Sequence, residues 1–277
     1  MNQPSDDQLL VAAQAGDRPA LEQLLERLQG KVYGFGLRMC RNPEDAQDVL
    51  QDTLLAMARG VREFRRESSV ATWLYSIARS YCLKKRRKSK FAPPSHLSLN
   101  DDTTPGMDNL IDTGPPPDDA AASRQVERAL QRAIDQLDPA YREVLLLRDV
   151  EGLTAPEVAE VVGISIDAVK SRLHRARRAV RDQVAPLLPV AASAPATAST
   201  CPDVLQLFSQ RLEDDISPQA CDEMQQHLEA CARCRGACAS LRETLALCSA
   251  ATATPIPGAV EQQVRKAVQK FLTEEHP

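Results

Sequence analysis

The stretch from Leu153 to Arg181 constrains the fold of this chain most, because it predicts two short helices joined by a tight turn. Thr154 is a good N-cap, and Pro156 falls in the first helical turn, where its missing N–H costs little. After a turn at Gly163, apolar residues recur at spacings of three and four. The residues 166–181 also include six Lys or Arg and a single Asp. A helix with an apolar back and a basic front, entered through a glycine turn, indicates a helix-turn-helix that reads a DNA major groove.

Composition favours an all-α protein of about two domains, because the 277 residues include only 4% aromatic residues and 11 glycines. The net charge of −4 is unevenly distributed, with basic clusters at 84–90 and 170–181 on either side of an acidic connector. The sequence contains no apolar run of about 18 residues and no signal-peptide pattern, so we expect a cytoplasmic protein that does not enter a membrane. In that reducing compartment its eight cysteines indicate thiols or metal ligands rather than disulfides.

The first ninety residues predict a helical bundle. Helical periodicity runs through 6–30, where Gly16–Pro19 divides it into two helices, and a third helix is predicted at 31–41. Asn42 and Pro43 open a further helix with a polar, acidic outer edge. This acidic edge consists of Asp45, Asp48, Gln51 and Asp52. It is either a solvated face or a docking surface for a basic partner helix.

A basic segment with aromatic residues follows. A polar loop at Phe64 leads into a helix that bears Trp73, Tyr75 and Tyr81, and seven Lys or Arg occur between Arg79 and Lys90 without any acid. Aromatic and apolar groups can hold unstacked bases while cations follow the phosphates, so this pattern suits a nucleic-acid surface. In the alternative interpretation the aromatic residues anchor the core and the lysines form a soluble helix end.

Two changes of composition divide the chain. Residues 91–123 contain six Asp, six Pro and no Lys or Arg, which indicates a flexible acidic linker, and 187–200 are rich in Pro and Ala. The predicted units are a helical domain at 1–90, the acidic linker at 91–123, a helix-turn-helix domain at 124–186, a second linker at 187–200, a cysteine-rich module at 201–248, and a tail at 249–277 with an amphipathic helix over 258–272.

The cysteine-rich module predicts a metal site, because six of the eight cysteines fall between 201 and 248. If 227–234 formed one helix, His227, Cys231 and Cys234 would share a face and converge on one ion, and Cys201 would complete a tetrahedral Cys3His site. Soft thiolates suit Zn²⁺, with Cd or Cu(I) as alternatives. Three cysteines are surplus to four ligands and favour a metal or redox sensor over a purely structural zinc site; they are Cys221, Cys238 and Cys248.

Residues 6–185 resemble a bacterial RNA polymerase sigma factor of the extracytoplasmic-function (ECF) group, whose members contain only σ2 and σ4 domains joined by a linker. The resemblance rests on DAQDVLQDTLL at 45–55, FRRESSVATWLYSIAR at 64–79, and LDPAYREVLLLRDVEGLTAPEVAEVVGISIDAVKSRLHRARR at 137–178. These segments occur in order and with natural spacing. The resemblance implies that 1–90 form σ2, that 124–186 form σ4, and that the chain is a transcription initiation factor rather than an enzyme.

The resemblance also implies a role for each surface. The acidic edge would dock on the clamp helices of the polymerase β′ subunit, and the β flap is the second expected contact with the core enzyme. The segment at 64–90 would capture a flipped base of the −10 element of promoter DNA; its implied contacts are Arg65, Ser68, Trp73, Tyr75, Arg79, Ser80, Lys84 and Lys85. The −35 reader would present Lys170, Ser171, His174, Arg175 and Arg178 to the groove.

The C-terminal spacing, from Cys201 to His227-x3-Cys231-x2-Cys234, resembles the zinc-binding anti-sigma domain. That domain is normally a separate protein that masks its sigma factor, and here it is fused in cis. A sigma factor with such an ending also resembles the CorE-type metal-responsive sigma factors. The resemblance implies that the module folds over σ2 or σ4 in one metal state and frees the polymerase-binding surface in the other. An alternative is an autonomous metal-dependent DNA-binding regulator, which would use the helix-turn-helix but not residues 42–90.

Overall fold

The structure of the protein, a computed structural model, describes residues 3–91, 117–188, 201–251 and 255–275. These ranges are built of helices and contain no strand, which confirms the predicted all-α class. The α-helices are α1 Asp6–Gln14, α2 Arg18–Cys40, α3 Pro43–Gly60, α4 Val70–Phe91, α5 Pro117–Gln136, α6 Pro139–Leu145, α7 Ala155–Val162, α8 Ile166–Val184, α9 Val204–Leu212, α10 Pro218–Ala230, α11 Ala232–Ala250 and α12 Gly258–Glu275. A π-helical turn, Leu146–Val150, follows α6, and a 3-10 turn, Ala185–Leu187, follows α8.

Helices α1 to α4 pack into the σ2-like bundle, in which α2 contacts each of the other three. The prediction of separate helices before and after residue 30 is wrong, because α2 is continuous from Arg18 to Cys40 and contains Gly30. A glycine inside a helix costs about 1 kcal/mol. The fully buried side chains of Leu28 and Val32 each contribute about 1.5–3 kcal/mol through burial, so packing outweighs that cost.

Helix α5 begins at Pro117, whereas the sequence predicted a domain boundary at Arg124, so the last part of the predicted acidic linker is helical. A proline in the first helical position, followed by Asp118 and Asp119, is a favourable helix start. This helix start was not predicted because it lies inside a segment whose Pro- and Asp-rich composition indicated a linker. The predicted linker residues 92–116 and 189–200 lie outside the described residues.

Helices α7 and α8 form the predicted helix-turn-helix. Thr154 and Glu157 form a capping box at the start of α7, and Ser165 caps α8. Gly163 between them has φ of 75°, a left-handed conformation that glycine adopts without steric cost. The apolar residues that recur at spacings of three and four in α8 are Val169, Leu173, Ala176 and Val180, and all four are buried.

The C-terminal module consists of α9, α10 and α11 around its own apolar core, which includes Val204, Phe208, Met224 and Leu241. Helices α9 and α11 both pack against the recognition helix α8. Helix α12, whose position the sequence left open, instead lies on α3 of the σ2-like bundle. Since α4 also packs against α7, the σ2-like bundle, the helix-turn-helix domain and the C-terminal module contact one another. None of the described helices combines the length and the apolar character that a membrane span requires.

Candidate metal centre and nucleic-acid interfaces

Four potential metal ligands converge in the C-terminal module: Cys201, His227, Cys231 and Cys234, the set predicted from the sequence. Their ligand atoms all lie within 4.8 Å of one another. Cys201 precedes α9, His227 lies in the last turn of α10, and Cys234 lies in the first turn of α11. The expectation that one helix carries 227–234 is wrong. The helix breaks at Cys231, whose extended backbone (φ −113°, ψ 101°) ends α10 and starts α11. The break, rather than a helical face, brings the ligands together.

The arrangement of these four groups fits a tetrahedral ion. The Sγ atoms of Cys201 and Cys231 are 4.0 Å apart, and Nε2 of His227 is 3.2 Å from Sγ of Cys234. Two sulfurs bound to one zinc ion at 2.3 Å would be separated by about 3.8 Å in a tetrahedron. Backbone N–H groups, chiefly that of Cys234, lower the pKa of the Cys231 thiol, whereas burial raises the pKa of Cys234 to about 12. A bound cation would therefore have to displace the proton of Cys234.

The three surplus cysteines do not join this group within the described part of the chain. Cys238 is buried in the core of the module, and burial raises the pKa of its thiol. Cys248 is fully buried at the boundary with the other domains, where burial raises its pKa to about 12. Cys221 is half-buried on α10. Packing accounts for Cys238 and Cys248, so the surplus thiols no longer favour a sensor.

The basic face of α8, which the sequence assigned to −35 DNA, is paired with carboxylates of the C-terminal module. The Nζ atom of Lys170 is 2.6 Å from Asp215, and the guanidinium of Arg178 is 3.2 Å from Asp203. Burial lowers the pKa of His174, partly offset by Asp203. The remaining two predicted residues are not paired with the module: Ser171 is exposed, and Arg175 donates a hydrogen bond to the Tyr141 hydroxyl at 3.1 Å.

Sequence reasoning missed the most deeply buried ion pairs of α8, those of Arg177. The Arg177 guanidinium is 2% exposed and lies 2.6 Å from both Asp149 of its own domain and Glu213 of the C-terminal module. It also donates to the Ser209 hydroxyl at 3.0 Å, and Glu213 accepts a second bond from Arg148 at 2.9 Å. Burial lowers the pKa of Arg177, but its carboxylate partners more than offset this and the net pKa is raised. Arg177 lies within the apolar stripe of α8, and this position could have indicated a buried arginine with a charged partner.

The predicted −10 residues divide into a buried and an exposed set. Tyr75 is fully buried and its hydroxyl donates to Glu151, while Arg79 bonds Glu143 at 3.0 and 3.3 Å. Trp73 is half-buried and stacks on Phe64 at 4.4 Å, which supports a structural role. Ser68 and Lys85 are partly buried, and the exposed residues are Arg65, Ser80 and Lys84.

The acidic edge of α3 lies between two other helices of the chain. Lys85 of α4 pairs with Asp48 and, at 3.6 Å, with Asp45. On the other side α12 contacts α3, where the Gln47 and Gln263 amides bond at 2.8 Å. Gln51 and Asp52, the other two residues of the edge, are half-buried. Part of this edge is therefore already engaged within the chain.

Three protein families match consecutive parts of the chain. Residues 24–91 match "Sigma-70 region 2", residues 127–180 match "Sigma-70, region 4", and residues 201–235 match the family described as "Putative zinc-finger". The third match covers all four candidate ligands.

Individual relatives agree with these matches. The RNA polymerase sigma-H factor of Pseudomonas aeruginosa is 30% identical over 192 residues, which cover 68% of this chain and 98% of that protein. The ECF RNA polymerase sigma factor SigM of Mycobacterium tuberculosis is 34% identical over 175 residues, or 62% of this chain and 81% of the relative. Among solved structures, CnrH in complex with the cytosolic domain of CnrY matches with a TM-score of 0.46 and 24% identity, over 64% of this chain and 95% of that chain. The family matches and the two sequence relatives show that the chain belongs to the ECF family of RNA polymerase sigma factors, transcription initiation factors that direct RNA polymerase to promoters and are not themselves enzymes.

Proposed function

We propose that the C-terminal module and α12 regulate this sigma factor in cis, by covering its DNA-binding and polymerase-binding surfaces while the metal centre is loaded. In this proposal 1–90 act as σ2, and the helices α5 to α8, which begin at Pro117, act as σ4. The acidic edge contacts the β′ clamp helices, σ4 contacts the β flap, and the protein acts in the cytoplasm. The segment at 64–90 holds the −10 element and the basic face of α8 reads the −35 element, as the resemblance implies.

The observation that carries the proposal is the pairing of α8 with the module. Asp215 and Asp203 lie 2.6 and 3.2 Å from Lys170 and Arg178, so these carboxylates compete with DNA phosphates for both cations. The buried contact between Arg177 and Glu213 fixes the same two elements more deeply. A buried charge pair gives a contact geometric specificity, whereas exposed pairs contribute little affinity.

The second surface that we propose to be covered lies on σ2, where α12 packs against α3. Val264 and Leu272 of α12 are fully buried, and Phe271 lies 5.0 Å beneath the guanidinium of Arg59 on α3. Because Gln47 also contacts α12, the helix borders the acidic edge on α3. A polymerase helix approaching this edge would meet α12, so we expect α12 to hinder docking.

The metal centre is coupled to the σ4 contact through the start of α9. Cys201 lies two residues before Asp203, which both caps α9 by accepting from the Gln206 N–H and pairs with Arg178. An ion that links Cys201 to His227, Cys231 and Cys234 would fix this segment to α10 and α11. We therefore propose that metal loading favours the docked arrangement and that metal loss weakens it.

We propose zinc as the resident ion, because three thiolates and one imidazole in a compact group suit Zn²⁺, with Cd or Cu(I) as alternatives. The ion would link the segment before α9 to α10 and α11, and would have a structural rather than a catalytic role. The CorE-type likeness remains a prediction that depends on this metal response.

The test measures binding of purified core polymerase to the full chain in metal-loaded and chelator-treated states. We expect chelation to strengthen binding, and Cys234→Ser to behave like the chelated protein at every metal concentration. Cys221→Ser, outside the ligand group, should keep the metal response. Equal binding in all states would refute regulation by the metal.

The same assay separates a sigma factor from the autonomous regulator. The variant Asp48→Lys/Asp52→Lys reverses two charges of the acidic edge and should abolish binding to core polymerase. Glu63→Lys reverses an exposed charge just beyond α3 and serves as the control. An autonomous DNA-binding regulator would fail to bind core polymerase under any condition, and neither variant would then matter.

A further inference from the structure

A row of three glutamates from the helix-turn-helix domain contacts the segment around α4. Glu143 lies on α6, Glu151 follows the π-helical turn, and Glu157 lies on α7. Sequence reasoning gave none of them a role. All three reach hydroxyl or guanidinium groups of the σ2-like bundle. Glu143 and Glu157 do so without the C-terminal module, whereas Arg38, the charged neighbour of Glu151, also donates to the Ala251 carbonyl at the end of α11.

Glu157 divides its carboxylate between two helices. Oε2 accepts from the backbone N–H and the hydroxyl of Thr154, both at 2.9 Å, and completes the capping box of α7. Oε1 accepts from the Ser69 hydroxyl at 2.7 Å and from the Thr72 hydroxyl at 3.3 Å, at the start of α4. The carboxylate therefore lies among the donors at the N-terminal end of α4.

Glu143 and Glu151 extend the contact along α4. Glu143 makes a two-pronged pair with the Arg79 guanidinium, and its side chain is only 8% exposed. Glu151, at 2% exposure, accepts from the Tyr75 hydroxyl and lies 3.9 Å from Arg38 of α2. Burial raises the pKa of Glu151. Its Oε2 is paired with Tyr75, whereas its buried Oε1 accepts no hydrogen bond from the described part of the chain and has the Arg38 charge at 3.9 Å.

The σ2 groups in this contact include two of the proposed −10 contacts, Tyr75 and Arg79, and donors next to a third, Ser68. Carboxylates and DNA phosphates compete for the same guanidinium and hydroxyl donors. We propose that Glu143, Glu151 and Glu157 form an internal competitor for single-stranded DNA on α4, so that the strand binds only after σ4 separates from σ2. This inference rests on the proposed −10 role of α4.

The contact has the character of an interface that can open. Beside an apolar core that the two domains share, it joins them through hydroxyls and charged pairs, which water or phosphate can replace, as is common for interfaces between domains that move. The glutamates belong to σ4 itself. Release of the C-terminal module therefore leaves the Glu143 and Glu157 contacts in place, and the −10 surface needs a separate opening step.

The test uses the full chain with the double substitution Glu143→Gln/Glu157→Gln. Glutamine at 157 preserves the capping box of α7, so the helix should persist. The matched control is Glu127→Gln/Glu160→Gln, which removes the same charge from exposed positions of the same domain. Circular dichroism and thermal melting check that both variants fold.

Two measurements follow: hydrogen exchange of the amides at 67–81, and fluorescence anisotropy with a labelled single-stranded oligonucleotide of random sequence at low salt. We expect faster exchange and about tenfold tighter binding for the test variant relative to the control. Unchanged exchange would overturn the inference. Faster exchange with binding no tighter than the control would overturn the competition with DNA and also the −10 role of α4, which distinguishes the two failures.

Discussion

The carboxylate of Glu213 lies 2.6 Å from the guanidinium of Arg177, and both side chains are almost completely buried where the C-terminal module meets the recognition helix. Arg177 has a second partner, Asp149, in its own domain, whereas Glu213 comes from the module. The module therefore completes a charge network inside σ4 that the helix-turn-helix domain begins.

Glu213→Gln should destabilise the docked chain. Removing one partner of a buried ion pair costs about 3–5 kcal/mol, and we expect about 3 kcal/mol because Asp149 remains beside Arg177. Urea unfolding of the full chain measures this change. The control is Asp214→Asn, an exposed neighbour with φ of 50°, which asparagine tolerates. A loss below about 1 kcal/mol would show that the network does not hold the module.

Asp203→Asn/Asp215→Asn should raise the affinity of the full chain for duplex DNA. Each exposed ion pair contributes about 0.2–1 kcal/mol and the variant removes two of them, so we expect an increase of about two- to thirtyfold, which fades at high salt. Asparagine at 203 keeps the cap of α9. Anisotropy with a labelled duplex of random sequence measures the change. Asp214→Asn/Asp222→Asn removes the same charge elsewhere, and an equal gain there would mean that net charge alone is responsible.

Metal removal should loosen the C-terminal module. An ion that binds only the folded module stabilises it, so chelation should lower the melting temperature of the chain and speed hydrogen exchange in α9 to α11. Elemental analysis should give about one metal ion per chain, lost in Cys234→Ser and retained in Cys221→Ser. If Cys234→Ser kept a full complement of metal, the proposed ligand set would be wrong.

Val264→Asp should detach α12 from σ2 and strengthen binding to core polymerase. Val264 is fully buried between α12 and the σ2-like bundle, and an unpaired carboxylate there would be strongly destabilising. Ala259→Asp adds the same charge at an exposed position of α12 and should leave binding unchanged. Weaker or equal polymerase binding by Val264→Asp would show that α12 does not hinder docking.

Local signals in the sequence determined most of the elements and the candidate metal-ligand set. Some features depend on only a few neighbouring residues and can be recognised in the sequence without tertiary structure. They are the caps Thr154 and Ser165, the turn at Gly163 and the apolar period of α8. The ligands were predictable because three of the four lie within eight residues. Their geometry was not, because the break at Cys231 is a backbone feature that the helical pattern conceals.

Tertiary structure alone decided which charges have partners. The partners of Arg177 and Arg79, Glu213 and Glu143, are distant in sequence, and nothing in a basic or acidic pattern specifies which surfaces will dock. The continuity of α2 through Gly30 and the position of α12 on α3 depend in the same way on burial against other helices. Helix formation is local, whereas domain packing depends on complementary surfaces between distant segments. The sequence therefore determined most of the helices, the helix-turn-helix and the candidate ligand set, and the fold decided that Lys170 and Arg178 of this motif pair with the C-terminal module.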